Sequence, residues 1–480
     1  MGNKIIKSLG NVVIEFPGQN SASQGANGEP PTFDNIPLEA YADIQPDDDG
    51  YIQHTANPER PTKQNHMDET LPAAYPVASS ECFYGIAGKY ALESCQDTEA
   101  DPVGVLIHTL TYMGAYFGGG AVLRLGDVEA PPRLMAITTG LSSGGKGTSA
   151  QPSRVLAREI DKMLASTGQP TIQYRDGPMS SGEGIAYVVR DPSDKTDKEG
   201  QPLDLGVTDK RLMVIEEEFS AVLKASKREG NTISTAIRRL WDDGCYSPII
   251  KNNPVTTTNA HVCFVGHITY DELIRDLDVI EYSNGFANRL LWLCVRRPKI
   301  VSIPRKMPGD RMDYFTREFA QAIRFGSLTR GLGLSGEAEQ LWASVVPGLV
   351  KSNVMLTERA RPQVLRIATI FALLDCTDIV TPAHLKAALA VWDCSVGSIQ
   401  FIFGSAKDDE ASRLLSALRK SKNGMTKTEI SVDVYSRHMK GKDIDDLLKM
   451  LEAQGQIFRG ERQPDGGKGR AATVFKAVSA

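Results

Sequence analysis

The chain has 480 residues, 41% hydrophobic and 24% charged, and its 54 Lys and Arg against 59 Asp and Glu leave a net charge of −5. That length suits about two to four domains with ample material for one large core, and the charge excludes a globally basic nucleic-acid binder. No stretch approaches the roughly 18 apolar residues of a membrane span, and MGNKIIKSLG lacks the apolar run of a signal peptide, so a cytoplasmic protein with no membrane partner is expected. Seven scattered cysteines (Cys82, Cys95, Cys245, Cys263, Cys294, Cys376, Cys394) form no CxxC pair, which argues against a zinc ribbon or a disulfide scaffold.

Residues 1–77 read as an irregular arm: IIKSLGNVVIEF alternates, but 17–75 are rich in Pro, Gly, Asn and Asp, with little apolar periodicity to offset ordering entropy. YGIAGKYALES and DPVGVLIHTLTYMGAYFGG read as two helices, a collar over 78–130. Then come strand LMAITT (134–139), loop GLSSGGKGTS (140–149), an amphipathic helix at 154–166 and strand TIQYR (171–175). A helix around EGIAYVVRD, a polar insertion (192–210), strand RLMVI (211–215) and helices within 219–242 follow. A hairpin (246–258), strand HVCFVG (261–266), a helix (270–281) and strand LLWLCVRR (290–297) complete the order. Alternating strands and helices predict an α/β core over 131–300, a mainly parallel sheet covered on both faces. Residues 301–406 read as a helical lid. From 407 to 480, fifteen basic and eleven acidic residues make a net-basic tail whose helix–helix–helix–hairpin order is that of a winged helix.

The strongest chemical signal is the strand–loop–helix at 134–166. A phosphate-binding loop needs glycines to bring backbone N–H groups around phosphate, a Lys for the β/γ charge and a hydroxyl for Mg²⁺. Gly140, Gly144, Gly145, Lys146, Gly147, Thr148 and Ser149 supply these, with one departure: Gly147 follows the Lys, so the hydroxyl comes late, from Thr148 or Ser149. RLMVIEEEF ends an apolar strand in Glu216, Glu217 and Glu218, where ligands of parallel sheets bind. Alternation sends Glu216 and Glu218 to one side if the strand persists, and such acids suit Mg²⁺ orientation and polarisation of a water. HVCFVGHIT ends in His267, and GFANRLLWL sets Arg289 just before the last strand.

This order resembles that of AAA+ ATPases, in particular the hexameric helicase branch, over roughly residues 80–400. TERARPQVLRIATIFALLD with IVTPAHLKAALAVW resembles an MCM-type lid, with Arg359 seven residues before Arg366. YGIAGKYALES, KGTS, MSSGEGIAYVVRD, the EGNT run and VGHITYDEL…NGFANRLLW are similar to an uncharacterised family of plasmid and phage ATPases often found beside primases. The resemblance implies ATP and Mg²⁺ as cofactors, with Lys146 on the phosphates. It makes Glu216 the Mg²⁺-side acid (with Thr148) and Glu217 or Glu218 its partner. His267 stands in the place of a sensor Asn, Arg289 in that of a trans-acting finger and Arg359 in that of the second sensor.

In that branch a hairpin before the sensor strand projects a basic residue into a central channel, and Lys251 in CYSPIIKNNPVTTTNAH matches it; an ordinary solvated hairpin reads equally well. In the tail, Lys427, Lys440, Lys442, Lys468 and Arg470 are the candidate duplex contacts, with a protein-docking domain as the alternative. The expectation is an ATP-driven DNA helicase or replication initiator of a mobile element, a homo-oligomeric ring, most simply a hexamer, with single-stranded DNA in its channel and a primase as a possible partner. The alternatives are an ATPase switch (loader, transposition or defence regulator) and a non-catalytic nucleotide-binding scaffold.

Overall fold

The computed structural model divides the chain into two units, Met1–Glu69 and Thr70–Ala480. It describes residues 7–9, 12–14 and 75–478, apart from 143, 194, 251–253, 278–280, 282–283, 352–355, 422, 438, 454–455 and 464–470. In the first unit β1 (Lys7–Leu9) and β2 (Val12–Ile14) pair antiparallel. The early alternation is therefore a hairpin; the rest of the expected arm, to residue 74, lies outside the described residues.

In the second unit, α1 (Gly85–Ser94) and α2 (Pro102–Phe117) precede a short hairpin of β3 (Leu123–Leu125) and β4 (Val128–Ala130) that the sequence did not announce. Then come β5 (Met135–Gly140), α3 (Lys146–Ser166), β6 (Gln173–Asp176), α4 (Gly182–Val188) and β7 (Arg211–Glu216). After α5 (Phe219–Ser226) and α6 (Ile233–Asp242) follow β8 (His261–Thr269), α7 (Tyr270–Asp276) and β9 (Leu291–Cys294). The five strands β6-β7-β8-β5-β9 form one sheet in that order, every pair parallel. The chain leaves β5 towards β6 and leaves β8 towards β9, in opposite directions. The crevice at the carboxyl ends of β5 and β8 is thus the switch point at which such sheets take their ligands, and the architecture is compatible with a P-loop-like core.

Period-two alternation sorts the strand residues between two cores. Ala136, Met213, Ile215, Cys263, Val265, Leu291 and Leu293 join the core that holds α2 and α3. Met135, Ile137, Leu212, Val214, Val262, Phe264 and Trp292 join the core formed with α4, α5 and α6. The 85–117 segment does not stand apart from the sheet as a collar. Every residue of α2 from Gly104 to Phe117 is buried, as befits a helix that is apolar all round. The helices Gly309–Leu328, Ala360–Leu374 and Pro382–Ile399 enter the same core, so they cover the sheet rather than form a body of their own. Among the described residues Pro382–Phe403 is the one helix long and apolar enough to span a membrane, and it is mostly buried inside the protein.

The tail has a third core. Helix Ser405–Lys420, a short helix from Lys427 that runs on to Val434, helix Gly441–Ala453 and the antiparallel strands Ile457–Arg462 and Ala472–Ala477 enclose Leu414, Ile430, Ile444, Leu448 and Ile457. Met425 adds a bridge to Phe475. Because these residues pack among themselves, a fragment of residues 405–480 is expected to unfold as one cooperative transition by circular dichroism. A core this small supplies only about 3–5 kcal/mol, and Ile444→Ala removes about 2–5 of it, so that variant fragment should be largely unfolded at 25 °C.

Candidate nucleotide site

β5 delivers the chain to Gly140, and α3 begins at Lys146, earlier than its amphipathic stripe suggests. Gly145 caps α3 at φ +92°, a left-handed conformation natural to glycine, and the Gly144 N–H closes the loop onto the Leu141 carbonyl at 2.9 Å. Lys146 Nζ donates to the Gly140 and Leu141 carbonyls at 3.0 and 2.7 Å. Burial lowers its pKa, while Glu272 and Glu218 raise it. An added side chain at Gly147 would meet no protein atom, so the departure there does not come from crowding.

The two candidate hydroxyls divide. Ser149 is fully buried; its Oγ donates to the Gly145 carbonyl at 2.8 Å and accepts from the Asp101 N–H at 2.9 Å. Asp101 in turn caps α2 at the Val103 N–H and takes the Arg296 N–H after β9 at 2.9 Å, which ties α2, α3 and β9 together under the loop. Thr148 is exposed in the first turn of α3 and is the hydroxyl left open.

The three glutamates also divide. The strand ends at Glu216, so alternation does not set the direction of Glu218, which is the exposed cap residue of α5. Glu216 is buried and its carboxylate accepts the Met179 N–H at 2.7 Å and the Glu218 N–H at 3.3 Å; burial raises its pKa. A side-chain carbon at Gly177 would come within 2.3 Å of that carboxylate, so the 177–179 loop is fitted to it. Glu217 pairs with Arg154 of α3 at 2.5 Å. Glu218 is the member of the trio whose charge acts on Lys146. For Mg²⁺, Thr148 and Glu218 are exposed hard oxygen donors, whereas buried Glu216 is already engaged by two N–H groups. Among the described residues no cluster of three His, Cys, Asp or Glu side chains stands ready to enclose a metal, so phosphate oxygens and water would complete its shell.

His267 pairs in register with Thr138 of β5 and is buried. Its Nε2 lies 2.9 Å from Nε2 of His108 on α2, whose Nδ1 meets the Gly104 carbonyl at 2.6 Å. Burial pushes His267 down to about 4 and His108 down to about 3, with Arg154 and Lys146 also opposing a charge on His267. His108, Arg154 and Glu272 are site residues that sequence reading missed. Arg154 lies two helical turns beyond Lys146, and Thr269–Glu272 is a capping box, both legible signals; His108 had none.

Arg289 and Arg359 are at the opposite edge. Arg289 makes a bidentate pair with Asp242 at 3.0 and 2.7 Å and is buried, while Arg359 is half-buried. Both lie over the Trp241 ring, at 5.6 and 5.8 Å, with Arg366 closest at 3.6 Å. The candidate hairpin is represented by one antiparallel pair, Tyr246 with Thr257; Lys251 lies outside the described residues, as do Lys468 and Arg470. Lys427 is paired with Asp445 at 2.5 Å, whereas Lys440 and Lys442 are exposed at the start of helix Gly441–Ala453.

Compared with known proteins, the chain matches no family model and no curated protein.

The buried histidines fix a pH response. A histidine with a folded pKa below its unfolded value near 6.5 costs no stability above pH 6.5; as pH falls below that, the unfolded chain takes protons the folded one refuses. The loss is about 1.4 kcal/mol per pH unit for each such group until its folded pKa is reached. Urea denaturation at pH 7.5 and 5.5 should therefore show a smaller loss of stability in His267→Gln than in the unsubstituted protein.

Proposed function

We propose that the chain is an ATP hydrolase of the AAA+ kind that works as a ring, most simply a hexamer, and moves on DNA as a helicase or replication initiator of a mobile genetic element. The observation that carries this reading is the separation of its charged groups between opposite ends of one sheet. Leu291 pairs with Ala136, so Arg289 stands level with Leu134, six strand residues from Gly140. At 3.3 Å per residue that is about 20 Å, beyond the reach of an arginine side chain. Arg289, with Arg359 beside it over the same Trp241 ring, therefore stands away from the Lys146 loop of its own chain, and both are assigned to the loop of a neighbour.

Each group then has a role. The backbone N–H groups of the loop and the amino end of α3 receive the phosphates, and Lys146 transfers its hydrogen bonds from the Gly140 and Leu141 carbonyls to them. Mg²⁺ would supply neutralisation of phosphate charge there; Thr148 and Glu218 are the open oxygens that would hold it, with Glu216 as the supporting carboxylate. Glu218 is assigned the polarisation of water at the crevice, since it is the exposed acid of the trio whose charge acts on Lys146; Glu217 holds Arg154 of α3. On assembly, Arg289 exchanges Asp242 for the neighbour's phosphate. A trans arginine is worth about three to five orders of magnitude in rate in such enzymes. The closed Arg289–Asp242 pair equally supports a second reading, an ATPase switch that fires only when a partner opens it; strand displacement on forked DNA with and without ATP separates the two.

Lys146→Ala and Arg289→Ala are each expected to abolish turnover, the first with loss of ATP affinity and the second without. Mixed rings of the two should recover partial activity, because some interfaces join an intact loop to an intact arginine. Mixed rings that form and stay inactive, or a wild-type monomer that hydrolyses ATP at full rate, would refute the trans assignment.

For the tail, the 405–480 fragment is expected to bind duplex DNA at low salt, and Lys440→Ala with Lys442→Ala to weaken it and flatten its salt dependence by about two counterions. A tail with no DNA affinity at low salt would leave the protein-docking reading.

A further inference from the structure

We propose that His108 is a positioning residue that fixes the tautomer of His267, so that the sensor position offers the crevice a hydrogen-bond acceptor and holds the attacking water rather than a phosphate oxygen. The inference rests on the ATPase reading for its functional half and on geometry alone for its tautomeric half.

The argument starts from a carbonyl, which only accepts. The Gly104 carbonyl lies 2.6 Å from His108 Nδ1, so Nδ1 carries the proton. His108 is neutral, since burial and its neighbours hold its pKa at about 3. Its Nε2 is then a lone pair, and the 2.9 Å contact with His267 Nε2 requires that His267 Nε2 donate. His267 is neutral as well, at about 4, so its Nδ1 is left as a bare lone pair. That nitrogen makes no hydrogen bond to the protein among the described residues, and it is not among the fully enclosed polar atoms that lack one. It therefore reaches solvent. The cations that act on the ring are Arg154 and Lys146, which flank the crevice at the ends of β5 and β8.

A phosphate oxygen has no proton to give at neutral pH, so it is repelled by this lone pair. Water, which has two, is the matched partner. The helix-borne carbonyl of Gly104 thus sets, through two rings, the polarity of a group about two residues short of the end of β8. Ring orientation is also restrained, because His108 stands on the buried stretch Gly104–Phe117 of α2 and its ring meets that of His267 edge-on, at 5.2 Å between centroids. Partners behind a metal-ligating histidine fix its tautomer in this way, and their loss costs about 10- to 100-fold there, the scale adopted for this pair.

The test uses the full chain and three proteins: wild type, His108→Gln and His108→Leu. Gln retains an acceptor for His267 Nε2–H, whereas Leu does not. His108→Leu is expected to lower kcat for ATP by about 10- to 100-fold with nucleotide affinity and KM unchanged, and His108→Gln to restore most of the rate. Nitrogen-15 imidazole spectra should show His267 as the Nε2–H tautomer in wild type and in His108→Gln, and as a mixture in His108→Leu. Wild-type His267 protonated on Nδ1, or His108→Leu turning over at the wild-type rate, overturns the proposal. If wild type hydrolyses no ATP, the ATPase reading fails, and a wild-type Nε2–H tautomer still upholds the geometric half. If His108→Leu does not fold, the wild-type spectrum and the His108→Gln rate carry the decision: an Nδ1–H tautomer overturns the assignment, and retained kcat with the Nε2–H form supports it.

Discussion

A parallel sheet covered on both faces can place charge only at the ends of its strands. Here both faces are filled, by α2, α3 and the carboxyl-terminal helices on one side and by α4 to α6 on the other. An ionised group within either layer would lose its hydration without a partner, at a cost of several kcal/mol. Lys146, Glu216, Glu218 and His267 accordingly collect at or near the carboxyl ends, and Arg133, Arg289, Arg359 and Arg366 at the amino ends. The two collections belong to different edges because the strands that carry them all run the same way.

The arginine edge shows how such a concentration is tolerated. Arg133 and Arg366 are fully enclosed, and both donate to the Trp241 carbonyl, at 3.1 and 2.8 Å. Desolvation lowers the pKa of each. The Trp241 ring supplies a negative face to Arg366, and Asp242 supplies a carboxylate to Arg289. Four guanidinium groups gather near Trp241, and Asp242, Asp243 and Glu358 are the carboxylates whose charge acts on them.

Much of the sheet was legible because its signals are local. Runs such as LMAITT, RLMVI and HVCFVG are short, apolar and bounded by polar turns, and they became β5, β7 and β8 within one to three residues. The loop between β5 and α3 was legible for the same reason, since glycines, Lys and a following helix lie within about a dozen residues. The hairpin of β3 and β4 escaped because each strand has three residues, too few to show a period. The expected collar and lid were separated in sequence, yet their apolar faces meet in one core, a fact that no window of sequence contains.

The sequence by itself determined which residues alternate, which helices carry apolar stripes and where a glycine-rich loop joins a strand to a helix, because those properties depend on neighbours along the chain. Only the tertiary structure decided which of three consecutive glutamates is open to Lys146, which of two hydroxyls is consumed as a strut, and that Arg289 meets Asp242. Those outcomes depend on groups far apart in the chain: Met179 against Glu216, Asp101 against Ser149, and His108 against His267 across 159 residues. A buried polar atom takes its chemistry from the partner it is packed against, and packing brings those partners together only after the chain has folded.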